Sequence, residues 1–484
     1  MILANKRAFF FAALIASAAF ARPAFADEYH NINGFFGERS AGLGGAYAAI
    51  SDDPSGSYYN PAGIVFAYDN FISLSASNFR ESKKTYESVF GPGQSYSRTS
   101  RSYLPNFFGA IKHFDSFKFG FSVVSPSTDD YDQADQITLP NSIPTVFNYR
   151  NDYTEKNTSI LLGPTFAKKI ADKMSAGITV YFLYDSRRIT TTQFVSRKDN
   201  TYSSTDISDR RTTTGVNPVL GWQWMPKDFL SLGLSLRRPL ILSESRRRGG
   251  IFNNSSPTAS GVTILESTQR ASGAANGGSW IAGPGDTGSL PQTWELRSGF
   301  ALFPSRYLMM AFDIIHTTGY KKEIDRTQVD ARNGNIFLNS PEVQELTRKP
   351  TTNFAFGTEY YMSDNLALRG GLFTNFSNSY SFHWGDRAAA AVAQNAGITS
   401  VSGLTPIGSS VIYNVPALSA MNRFEAVDTK GLSLGMSWSD ATSSITFTYV
   451  HEFGKGTSQI DPGQAPQRLI YRSSSFYIVA STRT

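Results

Sequence analysis

The chain of 484 residues contains no cysteine, so disulfides and thiolate metal sites are excluded. Beyond residue 26 it has no run of 18 or more apolar residues, and nothing after that point can cross a membrane as a helix. Charge is scarce too. Only 17% of residues are Asp, Glu, Lys or Arg, where an ordinary soluble protein carries roughly 25%. The net charge of +6 is spread over the whole length, with basic residues scattered among acidic ones, which argues against a nucleic-acid partner. Catalytic signatures are missing as well. The histidines His30, His113, His316, His383 and His451 show no ligand spacing, and neither HExxH nor GxSxG occurs. "GPGDTG" at 283–288 matches GxGxxG formally but opens no helix-like run, and it reads as loop. No enzyme activity, cofactor or metal is therefore expected.

What the chain does contain begins with an export signal. Lys6 and Arg7 precede the apolar run "AFFFAALIASAAF", and Ala24-Phe25-Ala26 supplies small residues for cleavage. Residues 1–26 are read as a signal peptide, and an exported chain without cysteine fits the bacterial envelope.

The main signal is a period of two. "FKFGFSVVS" sets Phe117, Phe119, Phe121 and Val123 against Lys118, Gly120 and Ser122. "LSLGLSLR" sets Leu230, Leu232, Leu234 and Leu236 against Ser231, Gly233 and Ser235, and "LSLGMSW" repeats the pattern at 432–438. A strand separates such faces cleanly and a helix does not. Fourteen segments read as strands, near 71–79, 104–111, 117–125, 158–167, 174–184, 215–224, 229–237, 293–302, 307–315, 352–360, 366–374, 430–438, 444–451 and 474–481. Most have the 9–11 residues that cross a bilayer at a tilt.

Connectors alternate in length. "HFDS", "ADK", "MPKD", "FPSR", "MSDN" and "SDAT" are short, whereas roughly 80–103, 126–157, 185–214, 238–292, 316–351, 375–429 and 452–473 are long. That asymmetry belongs to an outer-membrane barrel with short periplasmic turns and long external loops. Closure follows because an open strand edge in hydrocarbon leaves backbone groups unpaired at several kcal/mol each. The expected architecture is all-β, a fourteen-stranded antiparallel transmembrane β-barrel over residues 68–484, with apolar faces toward lipid and Ser, Gly and charged faces toward the lumen. Trp222, Trp224 and Trp438 read as girdle residues. The loop stretches "RRRGGIFNNSSPTASG" and "ASGAANGGSWIAGPGDTG" read as partly mobile, and "GDRAAAAVAQNAG" as a short helix over the mouth.

Residues 27–67 precede the first strand. Ala41, Leu43, Ala46, Tyr47, Ala49 and Ile50 suggest a short helix broken by Gly42, Gly44 and Gly45, and Asn60-Pro61-Ala62-Gly63 reads as a rigid turn. The segment is too small to form a core alone. A barrel lumen is the available container.

"GLGGAYAAISDDPSGSYYNPAGI" in an exported chain resembles the N-terminal hatch of the FadL-type long-chain fatty acid transporters of bacterial outer membranes. The likeness in motif covers about residues 34–66, and the remaining chain supports it by strand number and spacing. The resemblance implies a plugged fourteen-stranded barrel that moves hydrophobic compounds passively and releases them through a lateral opening. It also implies that Asn60-Pro61-Ala62 is the hatch's Asn-Pro-Ala element and that the residues after Asp27 approach an internal ligand site. One departure is Thr484, since such barrels commonly end on an aromatic residue.

Ligand or gating candidates follow from parity. Lys118, Arg297 and Arg369 face the lumen with Glu295 and Glu359. The arginines can bind a carboxylate head group, or they can anchor the hatch by pairing with Glu295, Glu359, Asp52 or Asp53. Phe35 and Phe36 can line the pocket or wedge the hatch. The expected partners are a hydrophobic small molecule and outer-membrane lipids, with the protein as a monomer. A structural or adhesive barrel that binds external partners through its loops is the alternative.

Overall fold

The computed structural model describes residues 29–483 apart from 90–92, 104, 127–129, 139–145, 198–201, 258–263, 272–279, 282–291, 321–328, 333–334, 339–347, 380–424 and 459–466. Fourteen of its strands form the barrel. They are β1 (Asn70–Tyr86), β2 (Phe107–Phe114), β3 (Phe117–Val124), β4 (Val146–Ala171), β5 (Met174–Arg197), β6 (Tyr202–Lys227) and β7 (Leu230–Arg237). The second half is β8 (Glu295–Ser305), β9 (Leu308–Thr317), β10 (Thr351–Tyr361), β11 (Leu366–Asn375), β12 (Ala426–Ser439), β13 (Ser443–Ser458) and β14 (Gln467–Arg483). Each pairs antiparallel with its neighbours in chain order. β14 returns to β1, with Phe71 opposite Arg483, and closes the cylinder.

Alternation along each strand sorts its side chains. On β12, Leu434 and Trp438 are 60% and 69% exposed, whereas Ser433 and Ser437, the residues immediately before each, are buried. On β3, Phe117 is exposed while Lys118 and Ser122 are buried. Large apolar side chains thus point away from the protein, where lipid covers them, and the small polar residues face an interior filled by the chain itself.

The strands are longer than the periodicity predicts. β4 and β6 have 26 residues and β5 has 24, so at about 3.3 Å per residue they continue far past a bilayer. Further strands extend this part: Tyr96–Tyr103 pairs with β1, Asp130–Thr138 with β4, and Leu240–Pro257 with β6. "RRRGGIFNNSSP", expected as loop, therefore lies within a strand that pairs on to Ile264–Ala271. Outside the membrane no lipid selects apolar side chains for the outer face, so the hydrophobic alternation weakens while backbone pairing persists, and inward residues such as Tyr86, Tyr96 and Tyr149 stay buried. The expected signal peptide, the Ala-rich helix and the GPGDTG loop lie outside the described residues.

The segment from Tyr29 to Ala67 lies inside the lumen, and Tyr68 emerges half exposed beside Phe71 and Arg483. Residues 41–50 form consecutive turns instead of the expected helix. Gly44 and Gly45 adopt φ of +62° and +82°, left-handed conformations that end any helical turn there. Regular structure comes later, as α1 (Gly56–Tyr59) and a 3₁₀ helix at Pro61–Phe66 with Pro61 at its first turn and Asn60 as its cap.

Candidate functional site

The lower part of the hatch is held by a chain of alternating charges. Arg39 bridges Asp52 and Glu359, each at 2.5 Å. Glu359, on β10, also accepts from Arg369 Nε of β11 at 2.7 Å. Arg369 Nη2 then lies 4.0 Å from Glu38. Hydroxyls from three further strands converge on Glu38: Ser444 and Ser481 donate at 2.7 Å, Ser437 and Thr446 at 3.1 Å. Burial alone would raise the Glu38 carboxyl, but Arg369 and these hydroxyls outweigh it and hold the group below the ordinary carboxylate range.

A second anchor sits opposite. Asp313 Oδ2 of β9 accepts the backbone N–H groups of Tyr47 and Ala48, both at 2.9 Å. Arg297 Nη1 lies 3.8 Å from the same carboxylate, donates to Gly45 O at 3.1 Å, and its guanidinium sits 5.1 Å from the Tyr59 ring. Asn60 is fully buried and spends its amide on both sides of the interface. Its Nδ2 donates to Ala48 O at 2.7 Å and to Trp222 O of β6 at 3.0 Å, while Oδ1 accepts from Ala62 N at 3.2 Å. Ser175 Oγ donates to Ala62 O at 2.9 Å, and the Pro61–Ala62 backbone lies directly on Gly177 of β5. Lys118 Nζ donates to Ala67 O and stands 3.2 Å from Asp69.

The upper part is more apolar. Phe35 packs edge-on against Phe373 of β11 at 4.9 Å, and its carbonyl accepts from Asn106 at 2.9 Å. Phe36 packs on Tyr58 at 4.7 Å, and its N–H donates to Tyr59 OH at 3.1 Å. Beside them a cavity of about 20 Å³ is lined by residues including Ile32, Phe35, Phe373, Val450 and Tyr477, with Arg80 and Glu452 at its polar side. Arg80 donates to Asn33 O at 3.1 Å, Tyr471 OH at 2.8 Å and Ser473 Oγ at 3.1 Å. Above it, Asn31, Ile32 and Tyr29 bond to Thr351, Asn375 and Asn378.

The structure thus gathers all the candidates around the hatch but in separate places. Lys118, Asn60, Pro61 and Ala62 meet β3, β5 and β6, whereas Arg369 and Arg297 face hatch carbonyls and carboxylates. Phe35 alone of them lines the cavity. Glu38, Arg39, Arg80 and Asp313 were missed. Asp313 carried a signal, because a carboxylate at the lumen parity of "MMAFDII" interrupts an apolar strand.

Asp53 offers a pH handle. It is buried, with Oδ1 accepting from Ser55 N and Oγ at 2.7 and 2.5 Å. Burial, with help from the Asp52 and Glu38 charges, pushes its carboxyl from 3.8 up to about 6. A raised folded-state value means that its stabilisation is complete below pH ~4 and is lost as pH rises through ~6. The expected loss is on the order of 3 kcal/mol. Hydrogen exchange across residues 40–60 should therefore speed up between pH 4 and 7 in the wild type relative to Asp53→Asn, once intrinsic exchange is corrected. A parallel pH profile in the two proteins would refute this.

A closed barrel with apolar side chains outward and its own N-terminal segment bonded into the lumen is a plugged outer-membrane channel. Residues 13–379 match the family described as outer membrane protein transport protein (OMPP1/FadL/TodX), and the chain belongs to that family. Its function is accordingly transport of hydrophobic small molecules through an outer-membrane barrel. Solved structures share the fold. A Pseudomonas aeruginosa FadL homologue is 14% identical, covering 95% of this chain and 99% of its own, with a TM-score of 0.53. The Ralstonia pickettii toluene transporter TbuX is 12% identical over 94% and 99%, with a TM-score of 0.53. The P. putida toluene transporter TodX is 13% identical over 93% and 98%, with a TM-score of 0.52. No curated protein matches the chain.

Proposed function

We propose that the cargo is a long-chain fatty acid, moved passively by a monomer with no chemical step, and that residues 29–36 of the hatch are the part that yields to it. The observation that carries this reading is Arg80. Its guanidinium edges a cavity of mixed lining, with Ile32, Phe35, Phe373 and Val450 on one side and Glu452, Ser473 and Ser475 on the other, and donates to a hatch carbonyl, Asn33 O, at 3.1 Å. A carboxylate is a stronger acceptor than that carbonyl, so an incoming head group replaces Asn33 while the tail displaces Ile32 and Phe35. The cavity of about 20 Å³ has room for about one water, and cargo fits only when this segment moves. Glu452 stands 4.0 Å from Arg80, but Arg297 and Arg369 are more heavily engaged, Arg297 between Glu295 and Asp313 and Arg369 with Glu359 at 2.7 Å and with Glu38.

A monoaromatic hydrocarbon is the second reading, favoured by the edge-on Phe35–Phe373 pair and by the two toluene transporters among the structural neighbours. Arg80→Gln separates the two. Removing a charge-assisted contact worth ~1.5–3 kcal/mol should weaken binding of a labelled fatty acid at least about tenfold and leave toluene binding unchanged. Unchanged fatty-acid binding, or equal loss for both compounds, would count against the fatty acid.

A further inference from the structure

The outer wall bears a row of basic residues at one height. Register sets Lys156 of β4 opposite Arg188 of β5, and Arg188 opposite Arg210 of β6. Lys156, Arg188 and Arg210 are exposed and share the outward parity of Leu162, Phe182 and Leu220. Neighbouring strands lie only about 4.8 Å apart, and like charges directly opposite one another destabilise a sheet.

The inward neighbours are treated differently. Arg187 donates to Glu155 at 2.9 Å, and Arg211 interacts with Asp185. Asp130 stands opposite Lys156 at one end of the row and offsets part of its charge. Arg188 and Arg210 have no such partner among the described residues. Three adjacent strands thus hold cations together on the outside while the protein neutralises those on the inside.

Height identifies what meets them. Outward side chains on β5 are apolar at Ala176, Ile178, Val180 and Phe182, and the band from Met174 to Tyr184 spans about 25 Å along the membrane normal at the usual tilt. Arg188 lies four residues further out, roughly 10 Å beyond the band. A phospholipid head-group layer is about 5–8 Å thick, so the row stands at or above its outer edge. A glycolipid with phosphorylated sugars reaches that level.

We propose that this row is a docking site for the phosphate groups of an outer-leaflet glycolipid, with Arg188 and Arg210 gripping phosphate oxygens through paired N–H donors and Lys156 adding charge. It lies on the outer wall, and its function is independent of the cargo route.

The test uses the full-length protein in detergent and purified lipopolysaccharide. Arg188→Gln with Arg210→Gln should weaken binding at least tenfold and flatten its salt dependence. The wild type should bind chemically dephosphorylated lipopolysaccharide as weakly as the double variant binds the intact form. Heat-modifiable gel migration shows whether the variant barrel is folded, and Arg188→Lys with Arg210→Lys should recover part of the affinity. Equal binding by wild type and a folded double variant would overturn the proposal. So would indifference to dephosphorylation, or equally effective competition by phosphatidylglycerol vesicles or inorganic phosphate at matched phosphate concentration.

Discussion

Glu359→Ala is expected to free the hatch while leaving the barrel closed. Glu359 is completely buried between Arg39 at 2.5 Å and Arg369 at 2.7 Å. Truncation leaves two guanidinium groups inside the wall, with Asp52 and Glu38 as their remaining acids. Removing one partner of a buried pair costs on the order of 3–5 kcal/mol. Almost all of that cost falls on the docked hatch, because a displaced hatch takes Arg39 back to water. Protease cleavage within residues 38–53 and ion conductance through the purified barrel should both rise, with the heat-modifiable migration of the barrel unchanged. Glu359→Gln, which keeps the shape and one acceptor, should fall between. Wild-type conductance in Glu359→Ala would show that the charge chain is not what holds the hatch.

Gly371→Val should expel the hatch by a different route. Gly371 faces the lumen on β11, and a Cβ there would collide with the Gly44 backbone nitrogen and the Leu43 carbonyl carbon. Neither can give way, since Gly44 is fixed by its φ of +62° and Ser433 Oγ bonds the adjacent Gly42 O at 2.8 Å. Overpacking a well-packed core, where side chains can shift, costs ~1–3 kcal/mol, and a clash with backbone should lie at or above the top of that range. Val suits a strand, so the barrel itself should tolerate the change. Gly370→Val is the control, because its nearest neighbour is the Thr358 methyl at 3.8 Å. Equal conductance and protease resistance in the two variants would refute the close approach of hatch and wall.

The barrel was legible because lipid on one side and a polar lumen on the other impose a period of two on every crossing strand. Parity alone put Lys118, Arg297 and Arg369 inside, and all three are buried. The external strands were not legible, since "TTTQFVS" and "DISDRRTTT" carry polar residues at both parities, and the ones that are buried there, Arg211 and Thr213, give no apolar alternation to read. Glu38 was also hidden. The hydroxyls it accepts lie 399 to 443 residues away in sequence, and only barrel closure brings β12, β13 and β14 to it. The turns at 41–50 were misread for a related reason. Ala, Leu and Tyr favour a helix locally, but tertiary bonds to Asp313 and the wall fix the backbone of Tyr47 and Ala48 instead.

The central claim is that the hatch segment filling the lumen must move for cargo to pass, and it can be tested by tethering that segment. The chain has no cysteine, and Asn31 and Asn378 touch side chain to side chain at 2.9 Å. A protein with Asn31→Cys and Asn378→Cys, bridged by a short reducible cross-linker, should take up no labelled fatty acid, and reduction should restore uptake. Full uptake with the bridge intact would contradict the claim, because cargo would then be passing a hatch that cannot open.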